Sequence, residues 1–305
     1  MDIARVDPAL REALRKTPTP KITNPVGLFL ISRLSRLIPA KDVAGVERRA
    51  VRVGDLRLRV YVPERPSGAG LVWIHGGGLV LGAAAMDDTL CGETARDLGV
   101  TIVSVDYRVA PRHPFPAAID DAHAGWRWLQ DNAAALGVDL DRIAIGGQSA
   151  GGGLAAALVQ RVHDEGDRVA AQWLLCPMLD DRTAADRSLD DARHFVWDNR
   201  ANLVGWRSYL GDRVGAATLP PYAAAARRED LTGLPPAWIY ASDIELFSGE
   251  DRAYADRLRA AGVDVTFVAV SGAPHGFEAW APGTEPAREL LAQARTWLGE
   301  RIGTR

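Results

Sequence analysis

A serine held in a tight turn between a strand and a helix can act as a nucleophile, and Gly147-Gln148-Ser149-Ala150-Gly151 has the residue types for such a turn. The pentapeptide follows the apolar run 142–147 and opens an Ala/Leu-rich stretch with helical spacing. The turn is so sharp that the residues two positions either side of the serine must be small, and Gly147 and Gly151 are. A helix beginning just after Ser149 would aim its free N–H groups and the positive end of its dipole at the reacting centre. The plain alternative is a glycine-rich strand-to-helix turn with an incidental serine; the strand and helix on either side favour the nucleophile.

A second signal is His75-Gly76-Gly77-Gly78, directly after the apolar run 70–74. Three glycines let the main chain come close to a ligand and turn its N–H groups inward. In acyl transfer, the amides of Gly76, Gly77, Gly78 and Ala150 would stabilise an oxyanion. The alternative, a phosphate-binding loop, needs a GxGxxG spacing or a Walker lysine, and neither is there. His75 is read as a structural residue that orients the loop.

Ser149 needs a base. Of the six histidines, His163 reads as a solvated helix residue, and His113 and His123 flank a proline-rich turn. His275 stands in Gly272-Ala273-Pro274-His275-Gly276-Phe277, a loop after the last apolar run, 265–270. In a parallel sheet the C-terminal ends of the strands share one edge, so this loop and the Ser149 turn face the same side. A neutral imidazole can take the serine proton near pH 7. The base in turn needs a carboxylate to orient it. The loop after 236–241 offers Asp243 and Glu245, and nearness to the strand does not choose between them.

The elements that must position these groups are legible in the hydropathy. Residues 46–53 and 56–62 alternate, as half-buried antiparallel strands do, with Gly54-Asp55 as the turn between them. Continuous apolar runs follow at 70–75, 100–107, 142–147, 170–176, 236–241 and 265–270, with helical stretches at 87–98, 117–135, 151–164, 250–261 and 286–300. Buried strands alternating with helices imply an α/β fold: a mostly parallel sheet of about eight strands with helices on both faces. Two segments stand outside this rhythm. Residues 8–16 and 24–38 read as short helices split by a proline-rich stretch. The connection from 176 to 236 is too long for a simple loop and carries a helical pattern at 194–211. Together they read as a helical cap, which gives four blocks: 1–45 as N-terminal cap helices, 46–182 as the first part of the core, 183–230 as an inserted cap segment, and 231–305 as the rest of the core. Phe29, Leu30 and Leu37, with Phe195, Trp197 and Trp206, could wall an apolar pocket there, although any single one of them is more readily an ordinary packing residue.

Composition narrows the function classes. The 305 residues carry 36 basic and 39 acidic side chains, a net charge of −3. The arginines are scattered, so neither a nucleic-acid partner nor an anionic membrane surface is expected. Cys91 and Cys176 lie in no metal-ligand spacing, so no metal site is expected, and both read as buried free thiols. The first sixteen residues lack the apolar core of a signal peptide, and no apolar run is long enough for an integral membrane segment. The expected location is cytoplasmic.

Four ordered motifs resemble the hormone-sensitive-lipase family of α/β-hydrolases, which includes bacterial acetyl-esterase and arylesterase types: His75-Gly-Gly-Gly78; Asp106-Tyr107-Arg108-Val109-Ala110-Pro111 with His113-Pro114-Phe115-Pro116; Gly147-Gln-Ser-Ala-Gly-Gly152; and Pro274-His275-Gly276-Phe277. The resemblance runs from about residue 45 to the C-terminus. It implies the α/β-hydrolase fold with a cap, no cofactor, and hydrolysis of short- to medium-chain acyl esters through a Ser–acid–His triad and an acyl-enzyme. It also places Glu245, 30 residues before His275, at the acid position; Asp243 remains the fallback. The residue before the nucleophile is usually acidic in that family, and here it is Gln148. The same machinery could serve an amidase or peptidase. Relatives of this fold that act as small-molecule receptors lack the histidine, which is present here. The last strand, as an exposed edge, could pair two copies into a homodimer.

Overall fold

The computed structural model describes residues 2–17 and 22–304, so part of the proline-rich stretch, 18–21, lies outside the described residues. Helix α1 (Pro8–Lys16) starts at Asp7, whose side chain accepts from the Ala9 amide, and α2 (Pro25–Leu34) runs into a 3₁₀ turn at Ser35–Leu37. The expected helix 24–38 is therefore shorter than its apolar pattern. Strands β1 (Val46–Val53) and β2 (Leu56–Pro63) form the antiparallel pair, followed by β3 (Gly70–Ile74), α3 (Asp88–Leu98) and β4 (Thr101–Asp106). Then come α4 (Ala117–Leu136), β5 (Ile143–Gln148), α5 (Ala150–Asp164) and β6 (Gln172–Leu175). The insertion holds α6 (Asp181–Ala185) and α7 (Asn199–Leu210), and the chain closes with β7 (Ala237–Ser242), α8 (Ser248–Ala260), β8 (Val265–Val270), α9 (Phe277–Trp280) and α10 (Glu285–Arg301).

All eight strands join one sheet in the order β1-β2-β4-β3-β5-β6-β7-β8. Only β2 runs against its neighbours; β3 to β8 are parallel. The strand period of two sends alternate residues to opposite faces. Val72 and Ile74 of β3 and Ile239 of β7 pack with Ala118, Trp126, Leu158 and Leu258 of α4, α5 and α8. Leu71 and Trp73, with Trp238 and Tyr240, pack on the other face with Cys91, Ala95, Leu290 and Trp297 of α3 and α10. Both faces are dry, which is why these strands read as continuous apolar runs. The strand β8 is a sheet edge and only half-buried, as its position at the end of the order requires.

The insertion departs from the expected helical lid. Its α7 begins at Asn199, where the Asp198 side chain accepts from the Ala201 amide, and the preceding residues 194–198 are irregular. Much of 211–236 has no regular structure. A buried carboxylate holds it to the core: Asp181 accepts from Arg227 at 2.7 Å and from the Gly215 amide at 2.6 Å. Irregular backbone packed against a core needs such partners for its polar groups. No helix among the described residues is long and apolar enough to cross a membrane.

A buried carboxyl also bridges β3 and α3. The Trp73 indole N–H donates to Asp87 Oδ2 at 2.7 Å, and both residues are buried. Burial pushes the Asp87 carboxyl up to about 6 from 3.8, against the Trp73 hydrogen bond. The folded state therefore holds this proton more tightly than the unfolded chain, so the group's contribution to stability is complete below about pH 4 and is lost as pH rises through about 6. Asp87→Asn keeps an acceptor for Trp73 but cannot ionise. In denaturant titrations between pH 4 and 8, the variant's stability relative to the parent should rise by roughly 3 kcal/mol with pH and level off above pH 6. A pH-independent difference would contradict this assignment.

Candidate active site

The turn after β5 places Ser149 at φ 55°, ψ −121°, a conformation that L residues other than glycine seldom adopt. Three main-chain hydrogen bonds hold it there: Ser149 N–H donates to the Leu175 carbonyl at 2.8 Å, and its carbonyl accepts from Gly153 and Met178. The neighbouring glycines are required by space. A methyl on Gly151 would lie 2.1 Å from the Ile74 carbonyl oxygen, and one on Gly147 would lie 2.3 Å from that of Gly151. The small residues expected at these positions thus answer to backbone crossing at van der Waals contact.

Ser149 Oγ lies 2.8 Å from His275 Nε2, and His275 Nδ1 lies 2.5 Å from Glu245 Oε2. All three side chains are buried. The second oxygen of Glu245 accepts from the Ser242 amide at 2.8 Å. The carboxylate is thereby fixed at one end by the last residue of β7 and at the other by the imidazole. This fits the tautomer in which Nδ1–H donates to Glu245 and Nε2 accepts the hydroxyl proton. The Phe247 ring stands edge-on to the imidazole at 5.1 Å.

The two acidic candidates separate cleanly. Asp243 is exposed and binds the loop of the histidine, accepting from the Gly272 amide at 2.8 Å and from Ser271 Oγ at 3.1 Å. It makes no contact with the imidazole. The residues between β7 and α8 put the side chains of 243 and 245 on opposite sides of the turn, which the linear sequence did not reveal.

The loop after β3 lies against the Ser149 turn, since β3 and β5 pair directly with Ile74 opposite Gly147. Gly77 and Gly78 have φ of 121° and 60°. A methyl on Gly77 would lie 2.1 Å from the Leu81 carbonyl oxygen, and one on Gly78 would lie 2.0 Å from the Trp197 ring. Among the described residues, no hydrogen bond takes the amide N–H of Gly77, Gly78 or Ala150. Gly76 sits closer to the turn, 3.5 Å from the Ser149 Cβ by the same measure. The loop is braced by His75, buried, stacked on Tyr107 at 4.3 Å and contacting the Gly76 carbonyl through Nδ1. This is the orienting role expected of it. Tyr107, whose hydroxyl donates to the His75 carbonyl at 3.2 Å, follows β4 at the same sheet edge; that position was the available signal for it.

The other histidines lie elsewhere. His123 belongs to α4 and pairs with Glu165 at 2.7 Å, away from the proline-rich turn it was expected to flank. His194 contacts the Ile244 carbonyl through Nδ1 at 3.1 Å. Cys176 Sγ approaches Glu245 and His275, the ligand atoms of the three lying within 4.8 Å of one another. A metal would need the thiolate, and burial pushes this thiol's pKa up; the donors and acceptors fit the Ser–His–carboxylate chain better. Both cysteines are free and buried, as expected.

The expected pocket wall is met in part. Trp206 borders only a narrow crevice of about 10 Å³ beside Ala150, with Leu79, Leu154, Met178, Tyr209 and Tyr222, room for no more than a water. Phe29, Leu30 and Leu37 do not line it and are 59%, 53% and 74% exposed. Phe195 packs against the core on the other sheet face, and Trp197 covers Gly78.

This sheet, with a serine on a strained turn after its central strand and a glycine loop beside it, defines an α/β-hydrolase with the layout of an acyl-transfer site. Comparison with known proteins agrees: a family model described as alpha/beta hydrolase fold matches residues 71–279, and the chain belongs to that family, in its hormone-sensitive-lipase-type branch. Esterase LipI of Mycobacterium tuberculosis (strain ATCC 25618 / H37Rv) is 33% identical over 297 residues, covering 92% of this chain and 90% of that protein. Ethyl acetate hydrolase of Pseudomonas putida is 32% identical over 242 residues, 77% of this chain and 76% of its own. The solved structure of a bacterial heroin esterase has a TM-score of 0.89 and 33% identity, with 98% of this chain and 99% of that one covered. The protein is a carboxylic ester hydrolase.

The choice of acid is open to direct measurement. Glu245→Gln should lower kcat on p-nitrophenyl acetate by about 10²–10⁴-fold, because the imidazole loses both its tautomer and its counter-charge. Asp243→Asn should stay within a few-fold of the parent. The reverse order would move the acid to Asp243.

Proposed function

We propose that this enzyme cleaves short- to medium-chain acyl esters with Ser149 as nucleophile, His275 as general base and acid, and Glu245 as the orienting carboxylate. The observation that carries the reading is the hydrogen-bonded chain from Ser149 Oγ through both nitrogens of His275 to Glu245. Ser149 Oγ bonds to the carbonyl carbon while its proton passes to His275 Nε2. The carbonyl electrons move onto oxygen, where the amides of Gly76, Gly77, Gly78 and Ala150 receive the charge. As the tetrahedral intermediate collapses, the C–O bond to the alcohol breaks and His275 returns the proton to the leaving oxygen. Water then attacks the acyl-enzyme, giving its proton to the same nitrogen, and the acid leaves with Ser149 restored. No cofactor enters these steps.

The relative named ethyl acetate hydrolase, from Pseudomonas putida, supports an acyl group of limited length. In this enzyme the segments 1–45 and 183–230 serve as the cap over a core of 46–182 and 231–305. The exposed β8 edge supports pairing of two copies; elution as a single 32.9 kDa chain in gel filtration would exclude that pairing.

Ser149→Ala, with circular dichroism unchanged, should abolish turnover of p-nitrophenyl acetate. Among the parent's p-nitrophenyl esters, kcat/KM should be highest for acyl chains of about two to six carbons and fall by tenfold or more for dodecanoate. A Ser149→Ala enzyme that keeps most of its activity would remove the nucleophile, and a dodecanoate optimum would remove the chain-length reading.

A further inference from the structure

Ser149 and His275 lie 126 residues apart in the chain, and a second buried contact joins the segments that carry them. Gln148 Nε2, one residue before the serine, donates to Glu278 Oε1 at 2.6 Å; Glu278 stands three residues after the histidine, in the first turn of α9. The other oxygen of Glu278 accepts from the Tyr240 hydroxyl on β7. Cys176 Sγ lies 3.3 Å from that same hydroxyl. All four residues are buried.

The side-chain partners of Glu278 both donate to it, which is the environment of an anion. Burial pushes its pKa above the ordinary carboxylate value, opposed by the bonds from Tyr240 and Gln148 and by the charge of His275. The titratable groups around it are Tyr240 and Cys176, Asp87 from the segment before α3, and His275; Glu245 and Asp251 face Cys176 from the β7–α8 side. The imidazole is the one member of this set that becomes a cation.

We propose that Glu278 is a positioning residue for ester hydrolysis: through Gln148 it locks the serine turn to the histidine loop, and its negative charge favours the imidazolium that forms as Ser149 gives up its proton. The proposal rests on the assignment of Ser149 and His275 given above. It also explains how glutamine serves before the nucleophile. An acidic residue at 148 would face the Glu278 carboxylate in a closed site, where two like charges cannot both persist.

The test compares Glu278→Gln, Glu278→Asp and Gln148→Leu with the parent on p-nitrophenyl acetate, with folding checked by circular dichroism. Glu278→Gln should lower kcat by about tenfold to a hundredfold with KM within twofold. It should also move the acid limb of kcat/KM to lower pH by about half a pH unit or more, since the lost anion no longer favours the protonated imidazole. Glu278→Asp should return the limb toward its original position. Gln148→Leu breaks the lock, so it should lower kcat; it serves if Glu278→Gln does not fold. A folded Glu278→Gln enzyme with the parent's pH profile, or a Gln148→Leu enzyme with the parent's kcat, overturns the proposal. An active Ser149→Ala enzyme overturns the underlying assignment instead, so the two failures are distinguishable.

Discussion

The architecture depends on one crowded crossing of main chain, where the Ser149 turn passes the end of β3. The serine occupies a backbone conformation that costs on the order of 1–3 kcal/mol, and hydrogen bonds to Leu175, Gly153 and Met178 hold it there. The strain lifts Oγ clear of the sheet at the edge where the parallel strands end. Because a side chain at 147 or 151 would overlap the carbonyls of Ile74, His75 and Gly151, the crossing sets the distance between the serine and the glycine loop. The Ile74 carbonyl ends β3 and the Gly151 carbonyl lies in α5, two elements packed into the apolar core, so the core sustains the strain.

Charge in the site is arranged around that crossing. Both Glu245 oxygens are engaged, one by His275 and one by the Ser242 amide. Ser242 Oγ in turn accepts from the Ala273 amide at 3.2 Å, so one residue at the end of β7 orients the carboxylate and tethers the histidine loop. Asp243 adds a further tether through Gly272. The exposed neighbour thus contributes to the same loop by a structural route. Several carboxyl groups are enclosed nearby, and hydrogen-bond donors directed at them, rather than salt bridges, hold those of Glu245 and Glu278 in place.

The insertion and the N-terminal segment reach this centre by packing more than by regular structure. Trp197 lies over Gly78, and a methyl on Gly205 of α7 would lie 2.5 Å from the Gly78 carbonyl oxygen. The 3₁₀ turn after α2 contributes Ser35, whose Oγ accepts from the Gly82 amide at 3.2 Å. The insertion and the N-terminal segment therefore both touch the glycine loop or its continuation. Buried polar contacts such as Asp181 with Arg227 satisfy the irregular backbone in between.

The sheet, its strands and the meeting of Ser149 with His275 at one sheet edge were legible in the linear sequence, because each depends on local pattern: continuous apolar runs for two-sided burial, glycines where backbones must touch, and motif order along a parallel sheet. The parts that were not legible depend on where side chains point after folding. Asp243 and Glu245 both lie near the end of β7, and only the turn's geometry sends one to solvent and the other to the imidazole. Phe29, Leu30 and Leu37 have the composition of a pocket wall yet face outward, because Leu28 and the Ser35–Gly82 contact fix which side of that segment meets the core. Gln148 was visible as an unusual residue, but its partner Glu278 lies 130 positions away. Such a pairing is set by the packing of α9 beneath the histidine loop. Local chemistry is written in neighbouring residues, whereas the direction of a side chain and its distant partner exist only once the chain has closed on itself.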